Sequence, residues 1–267
     1  MASEDGQLHS LQQLADKDNS GVKFNRNIES GDCEVYSIAN SKKSSHPPSD
    51  CPRAQTRLEI VHADVWRKHP VESYSGCQSA VMFTDDKSQM RWGVPIKTKD
   101  ETAERLQALI EEVADREGHC IGKVHCDGGV ELKGKFQALC ESLGFIMETN
   151  APYIPYGNAN HERGFGTIIG TVRRLLLGAP HLPDRLLAEG SKAAMHIKNG
   201  TPSNVLDGKA PLEVWEDKKL SNLLHMHEWG ALSFKHVRVR FRFNKLAARA
   251  MTLHLVGYNM KNKKYRQ

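Results

Sequence analysis

Three acids stand where a carboxylate has chemistry to do. Asp64 lies inside Leu58–Trp66 (Leu-Glu-Ile-Val-His-Ala-Asp-Val-Trp), an apolar, β-branched run. An acid there is costly unless something compensates it. Asp127 follows the apolar Cys120–Cys126 and precedes Gly128-Gly129; Glu162 opens an amphipathic stretch that runs to Leu177. Carboxylates brought to one sheet edge repel each other unless cations sit between them, and hard oxygen donors suit Mg2+ or Mn2+. Two such ions about 3.5–4 Å apart clamp the attacking and leaving oxygens of a phosphoryl transfer. Each acid also has a plainer reading. Asp127 before Gly-Gly is a turn former, Glu162 in a first helical turn suits the macrodipole, and Asp64 pairs with a Lys or Arg.

The elements that must position these acids follow from periodicity. Leu58–Trp66, Gln78–Thr84 and Met90–Lys97 read as strands, the last two joined by the turn Asp85-Asp86-Lys87-Ser88. Lys99–Gly118 reads as a helix, with Leu106, Leu109, Ile110 and Val113 at helical spacing. Cys120–Cys126 is a strand, Lys135–Leu143 a helix, Phe145–Thr149 a strand, and Glu162–Leu177 and Asp184–Lys198 a helix pair. A hairpin followed by βα alternation predicts an α/β fold, a mixed sheet with helices packed on it. Leu232–Phe243 and Leu253–Tyr258 read as strands of a small β-rich unit. Ser41–Arg53, polar and holding Pro47, Pro48 and Pro52, reads as a linker.

Composition sets the surroundings. The 267 residues are 39% hydrophobic and 26% charged, as in a soluble globular protein of one or two domains. No membrane span and no signal peptide are recognisable, so an intracellular protein is the expectation. The six cysteines have no framework spacing, which favours reduced thiols. The net charge of +5 hides an asymmetry: residues 229–267 hold ten Lys/Arg and no Asp/Glu, leaving the remainder at −5. A basic terminal segment beside an acid-bearing body points to a polyanion, or is simply a solvated tail. Arg238, Arg240 and Arg242 alternate with Val239 and Phe241, and on a strand they would share one face that could follow a phosphate backbone; a basic edge strand that resists aggregation is the alternative. Arg163, Arg173 and Arg174 on the Glu162 helix are further DNA candidates, against a solvated helix face. Trp66, Trp92 and Trp215 are expected in the core, and His125, His161 and Cys126 as packing residues beside the acids.

The ordered motifs resemble the integrases of retroviruses and LTR retrotransposons, most closely the copia type. The residues that carry the resemblance are His62-Ala63-Asp64-Val65, Phe83-Thr84-Asp85-Asp86-Lys87-Ser88, Cys126-Asp127-Gly128-Gly129-Val130-Glu131-Leu132, Pro152-Tyr153-Ile154-Pro155 leading to Glu162-Arg163, Asn199-Gly200-Thr201-Pro202-Ser203, and Gly208–Trp215. The resemblance implies an RNase H-like five-stranded mixed sheet with helices on both faces over 58–200, after a remnant of a zinc-type module and linker (1–57) and before a C-terminal extension with a basic β-rich unit (201–267). It implies a D,D,E site of Asp64, Asp127 and Glu162 holding two Mg2+ or Mn2+ ions, DNA 3′-end processing and strand transfer, element ends and target duplex as partners, a homo-oligomer, and nuclear action. A catalytically degenerate DNA-binding fragment and an RNase H-like nuclease that joins nothing are the rival readings.

The sequence also departs from the family. Thirty-four residues separate Asp127 from Glu162, one fewer than is usual. Cys33 fits the first cysteine of the zinc module, but Tyr36 stands where the second belongs and His9 is the one histidine before it. Tyrosine is a poor substitute for a thiolate on zinc. No structural zinc is expected, Cys33 is an orphan of the degraded site, and the chain reads as part of a larger Pol polyprotein. Tyr156–His161, Arg67 and Gly200 depart from family residues, and Gly190 falls inside a predicted helix, where glycine costs about 1 kcal/mol.

Overall fold

The computed structural model describes residues 53–66, 69–114, 118, 120–126, 134–149, 159–219, 226–259 and 264–266. Cys33 and Tyr36 of the zinc-module remnant, Asp127 and residues 150–158 lie outside them.

Five strands form one sheet, β1 (Ile60–Trp66), β2 (Ser79–Asp85), β3 (Arg91–Ile96), β4 (Lys123–Cys126) and β5 (Ile146–Thr149), in the order β3-β2-β1-β4-β5. β1, β2 and β3 pair antiparallel, while β4 joins β1, and β5 joins β4, in parallel. This is the mixed sheet of the RNase H-like fold. Alternation within β1 explains how an acid is tolerated in an apolar strand. Val61 and Ala63 are buried on one face, while His62 and Asp64 point to the other and are only half-buried.

The first face carries the main core. Val61, Val81, Phe83, Ile96 and Val124 pack against Leu106 and Leu109 of α1 (Thr102–Leu109) and Phe136 and Cys140 of α2 (Lys135–Ser142). Trp215 of α5 (Pro211–Glu216) joins this core and meets Trp92 edge-on, ring centroids 4.9 Å apart. The second face is covered by α3 (Ala159–Gly178) and α4 (Leu187–Gly200). Met82 and Trp66 pack there on Ile168 and Val172 of α3 and Leu187, Ala194 and Met195 of α4. The three tryptophans are therefore core residues, as expected.

Element ends moved where local bonding overrode periodicity. The helix expected over Lys99–Gly118 opens as a 3-10 turn, is α-helical from Thr102 to Leu109, and widens into a π turn over Ile110–Ala114 whose Ile110 and Val113 still reach the core. α3 starts at Ala159, three residues before Glu162. Gly190 in α4 is buried, with Trp229 and Val172 both 3.8 Å from where its Cβ would sit.

The C-terminal part is β-rich. β6 (Leu232–His236) pairs antiparallel with β7 (Ala250–His254), and β8 (Gly257–Asn259) with β9 (Lys264–Arg266). The strand expected over Leu232–Phe243 stops at His236. A 3-10 turn over Val239–Phe241 replaces it, closed by Phe241 N–H on the Arg238 carbonyl (2.9 Å) and Arg242 N–H on the Val239 carbonyl (3.0 Å). Arg238, Arg240 and Arg242 are therefore not a period-two row.

Candidate active site

Asp64 sits in mid-β1 opposite Met82 of β2, on the face that α3 and α4 cover. On its other side β4 runs parallel to β1, and its last residue, Cys126, pairs with Ala63. The described part of β4 thus stops one register position short of Asp64. Gly122 makes this close entry possible, since a Cβ there would meet the Glu59 carbonyl oxygen at 2.7 Å. Glu162 lies in the first turns of α3, within the helix that covers the Asp64 face. Its side chain and that of Arg163 lie outside the described ones. The described residues alone gather no group of three or more His, Cys, Asp or Glu that could hold a metal.

Polar groups surround Asp64 on its face. His62, two residues earlier in β1, has its Nε2 3.3 Å from Asp86 Oδ1 and meets the His125 ring edge-on, centroids 5.2 Å apart. His62, His125 and Thr84 share one row across β4, β1 and β2, and Arg91 of β3 ends it. Cys126 faces the opposite core, its thiol donating weakly to the Glu148 carbonyl at 3.7 Å.

The pair Asp85-Asp86 is more than the turn the sequence suggested. Both residues are buried, and their carboxylates tie the chain before β1 to the β2–β3 hairpin. Asp85 accepts from Leu58 N–H (2.8 Å), Ser88 N–H (2.8 Å) and Ser88 Oγ–H (2.5 Å); Asp86 accepts from Ala54 N–H at 2.7 Å. The signal was present in Asp-Asp-Lys-Ser: an Asp side chain readily accepts from backbone N–H and hydroxyl groups a few residues on, and Ser88 supplies both. The reach of Asp85 back to Leu58, 27 residues earlier, was not readable.

The arginines divide. Arg173 is exposed on α3. Arg174 is half-buried and donates to Thr171 Oγ1 at 2.9 Å. Arg238 and Arg240 are exposed, with the Arg240 guanidinium 4.7 Å over the Phe241 ring. Arg242 donates Nε–H to the Val237 carbonyl at 2.9 Å and so braces its own turn.

Comparison with known proteins accords with this architecture. Over 210 residues, 78% of the chain, it is 30% identical to the retrovirus-related Pol polyprotein from transposon TNT 1-94 of Nicotiana tabacum. The chain is thus a relative of the Pol polyprotein of a copia-type transposon. It spans 16% of the length of that polyprotein. Among solved structures, a chain of the simian T-cell lymphotropic virus intasome in complex with the PP2A regulatory subunit B56 gamma shares the fold, at TM-score 0.53 and 17% identity over 81% of this chain and 74% of that one. No family model matches. Among the described residues, no helix is long and apolar enough to cross a membrane, and none of the four described cysteines, Cys77, Cys120, Cys126 and Cys140, is in a disulfide.

Proposed function

We propose that this integrase-family chain processes DNA 3′ ends and joins them to a target duplex, using Asp64, Asp127 and Glu162 as ligands for two Mg2+ or Mn2+ ions. The observation that carries the reading is the placement of Asp64 mid-strand on the face under α3, beside the strand that leads to Asp127 and under the helix that bears Glu162. The donor chemistry fits: carboxylate oxygens are the ligands Mg2+ and Mn2+ prefer. The ions, when bound, would polarise an attacking hydroxyl and neutralise the departing oxygen. The chain's own part is to position the carboxylates, with Asp64 held on the β1 ladder and Glu162 carried by a 20-residue helix. DNA as partner, assembly with further copies and action in the nucleus belong to the same proposal.

The test is Mn2+-dependent strand transfer on a labelled blunt duplex, the wild-type chain beside Asp64→Asn and Asp127→Asn. Joined products that vanish in both variants support the reading. Hydrolysed ends without joining would make the chain a nuclease. No products, with DNA binding kept by the variants, would leave it a DNA-holding relative whose acids no longer act.

A further inference from the structure

The basic C-terminal part meets the helical layer at Gly230, which stands just before β6 with φ +88°. The backbone around it is fixed. Gly230 N–H donates to the Leu255 carbonyl at 2.7 Å, and Leu255 N–H donates to the Ala231 carbonyl at 2.9 Å. Glycine is required there, because a Cβ would lie 2.7 Å from the Ala179 Cβ and 3.5 Å from Cε1 of His181. Trp229 beside it is buried with Ala179 and Ala193 and donates Nε1–H to the Val256 carbonyl at 3.0 Å. The Gly230 carbonyl is therefore held in one direction.

Two imidazoles converge on that carbonyl. His181, in the loop after α3, brings Nε2 to 3.0 Å from the oxygen, and His254, the last residue of β7, brings Nδ1 to 3.0 Å. The ring centroids are 4.7 Å apart. A carbonyl only accepts, so each of these nitrogens carries a proton when it bonds there. Neutral imidazole has a second tautomer, which moves that proton to the other ring nitrogen and leaves a lone pair aimed at the same point. Two nitrogens and one oxygen then face each other as donors. They border a cavity of about 390 Å3 that Glu228 and Leu232 also line. His181 is exposed and His254 half-buried, so an ion can reach them from solvent.

We infer that His181 Nε2, His254 Nδ1 and the Gly230 carbonyl oxygen form one face of a site for a divalent transition-metal ion of the zinc type. Metal–nitrogen bonds of about 2.0–2.1 Å and metal–oxygen bonds of about 2.0–2.2 Å set neighbouring ligands about 3.0–3.4 Å apart. Both nitrogen–oxygen separations here are 3.0 Å. Imidazole nitrogen suits zinc, copper and nickel, whereas Mg2+ and Mn2+ favour carboxylates. Water from the cavity completes the coordination, and Glu228 brings a negative charge to the same lining. The third donor is a main-chain oxygen, so the site stands without a third His, Cys, Asp or Glu, and the described residues gather none. A bound ion ties the loop after α3 to the start of β6 and the end of β7. It fastens the basic C-terminal ribbon to the helices that cover the Asp64 face. The site is independent of the three carboxylates and of the catalysis proposed for them.

The experiment titrates the full-length chain with Zn2+, using Mg2+ at the same concentrations as control, and reads the calorimetric Kd and the thermal midpoint. The site predicts a saturable rise of the midpoint with Zn2+ that Mg2+ does not give. His181→Gln and His254→Gln should each weaken Zn2+ binding about tenfold or more, with folding of each variant checked by far-UV circular dichroism. Co2+ bound to the wild-type chain gives a readout that needs no variant. Bands of a cobalt ion held by nitrogen and oxygen support the site, whereas a spectrum carried by thiolate charge-transfer bands alone would put the metal on cysteine. That thiolate spectrum, Zn2+ that acts no differently from Mg2+, or folded His181→Gln and His254→Gln that bind Zn2+ as the wild type does, overturns the inference. None of these readouts involves strand joining, so failure here and failure of the proposed catalysis are separable.

Discussion

At the scale of single residues, the most exacting feature is charge that the fold partly withdraws from water. Lys198 is the clearest case. Its folded value of about 8 lies below its ordinary 10.5. The unfolded chain therefore holds more protons between those two values, and stability rises with pH through that window. Below pH 8 the full penalty acts. Cys140, whose thiol burial pushes up to about 11, has the opposite sign above pH 9, so the window from 8 to 9 belongs to Lys198. Urea unfolding of the wild-type chain across pH 8–9 should show stability climbing, and Lys198→Met should flatten that slope and gain about 1–3 kcal/mol at pH 7. An unchanged slope would mean that Lys198 keeps its proton in the fold across this range, as it does in the unfolded chain. Asp85 makes the contrary case of a buried charge fully met. Removing it in Asp85→Ala orphans Leu58 N–H, Ser88 N–H and the Ser88 hydroxyl, and should cost about 2–4 kcal/mol in urea denaturation. A loss below about 0.5 kcal/mol, the range of ordinary surface substitutions, would show that water replaces the carboxylate.

At the scale of elements, the sheet's two faces were only half legible. The core face was written plainly in Val61, Val81, Phe83, Ile96 and Val124, whose apolar, β-branched runs marked the strands themselves. The Asp64 face was not, because what fills it comes from elsewhere in the chain. Gly93 shows why. It reads as a weak point in β3, yet its missing Cβ is where Met195 of α4 sits, with Met195 Sδ 1.9 Å from the position a Cβ would take. Nothing local in Trp-Gly-Val-Pro announces a methionine 102 residues later. Of the three acids, Asp64 falls on the strand and Glu162 on the helix that the sequence pattern placed them on, and these two elements share one face of the sheet. The arginine row was misread because Arg242 bonds to Val237 and turns the chain before a second strand can form. The Gly93–Met195 contact can be tested by a double-mutant cycle. Gly93→Ala alone should destabilise by about 1–3 kcal/mol through overpacking, and Met195→Ala alone by about 2–5 kcal/mol through the cavity it leaves. Together they should cost less than the sum, by about 1 kcal/mol, because each relieves the other. Additive costs would show that Met195 swings aside freely and that α4 is not keyed to β3 there.

At the scale of the whole molecule, charge is divided between an acid-bearing body and a basic end. Ten Lys/Arg and no acid fall in residues 229–267, and the described part of that segment presents Arg238 and Arg240 on an exposed turn beside Phe241 and Phe243. An exposed turn of this kind does not need strand periodicity to meet a polyanion; it needs charge that can reach phosphates. Arg242 is spent on its own backbone, so the turn's contribution rests on two side chains rather than three. For duplex DNA, the slope of log K against log salt falls by about 0.9 for every phosphate that a side chain no longer neutralises. Arg238→Gln with Arg240→Gln in the full chain should therefore lower the slope by about 2 and weaken binding equally for unrelated duplex sequences. Arg242→Gln should act differently, lowering the thermal midpoint with a smaller change of slope, because it releases the Val237 carbonyl and loosens the turn. If the double variant leaves the slope intact, the basic end serves solubility, and whatever DNA the chain holds is held by α3 and the residues around Asp64.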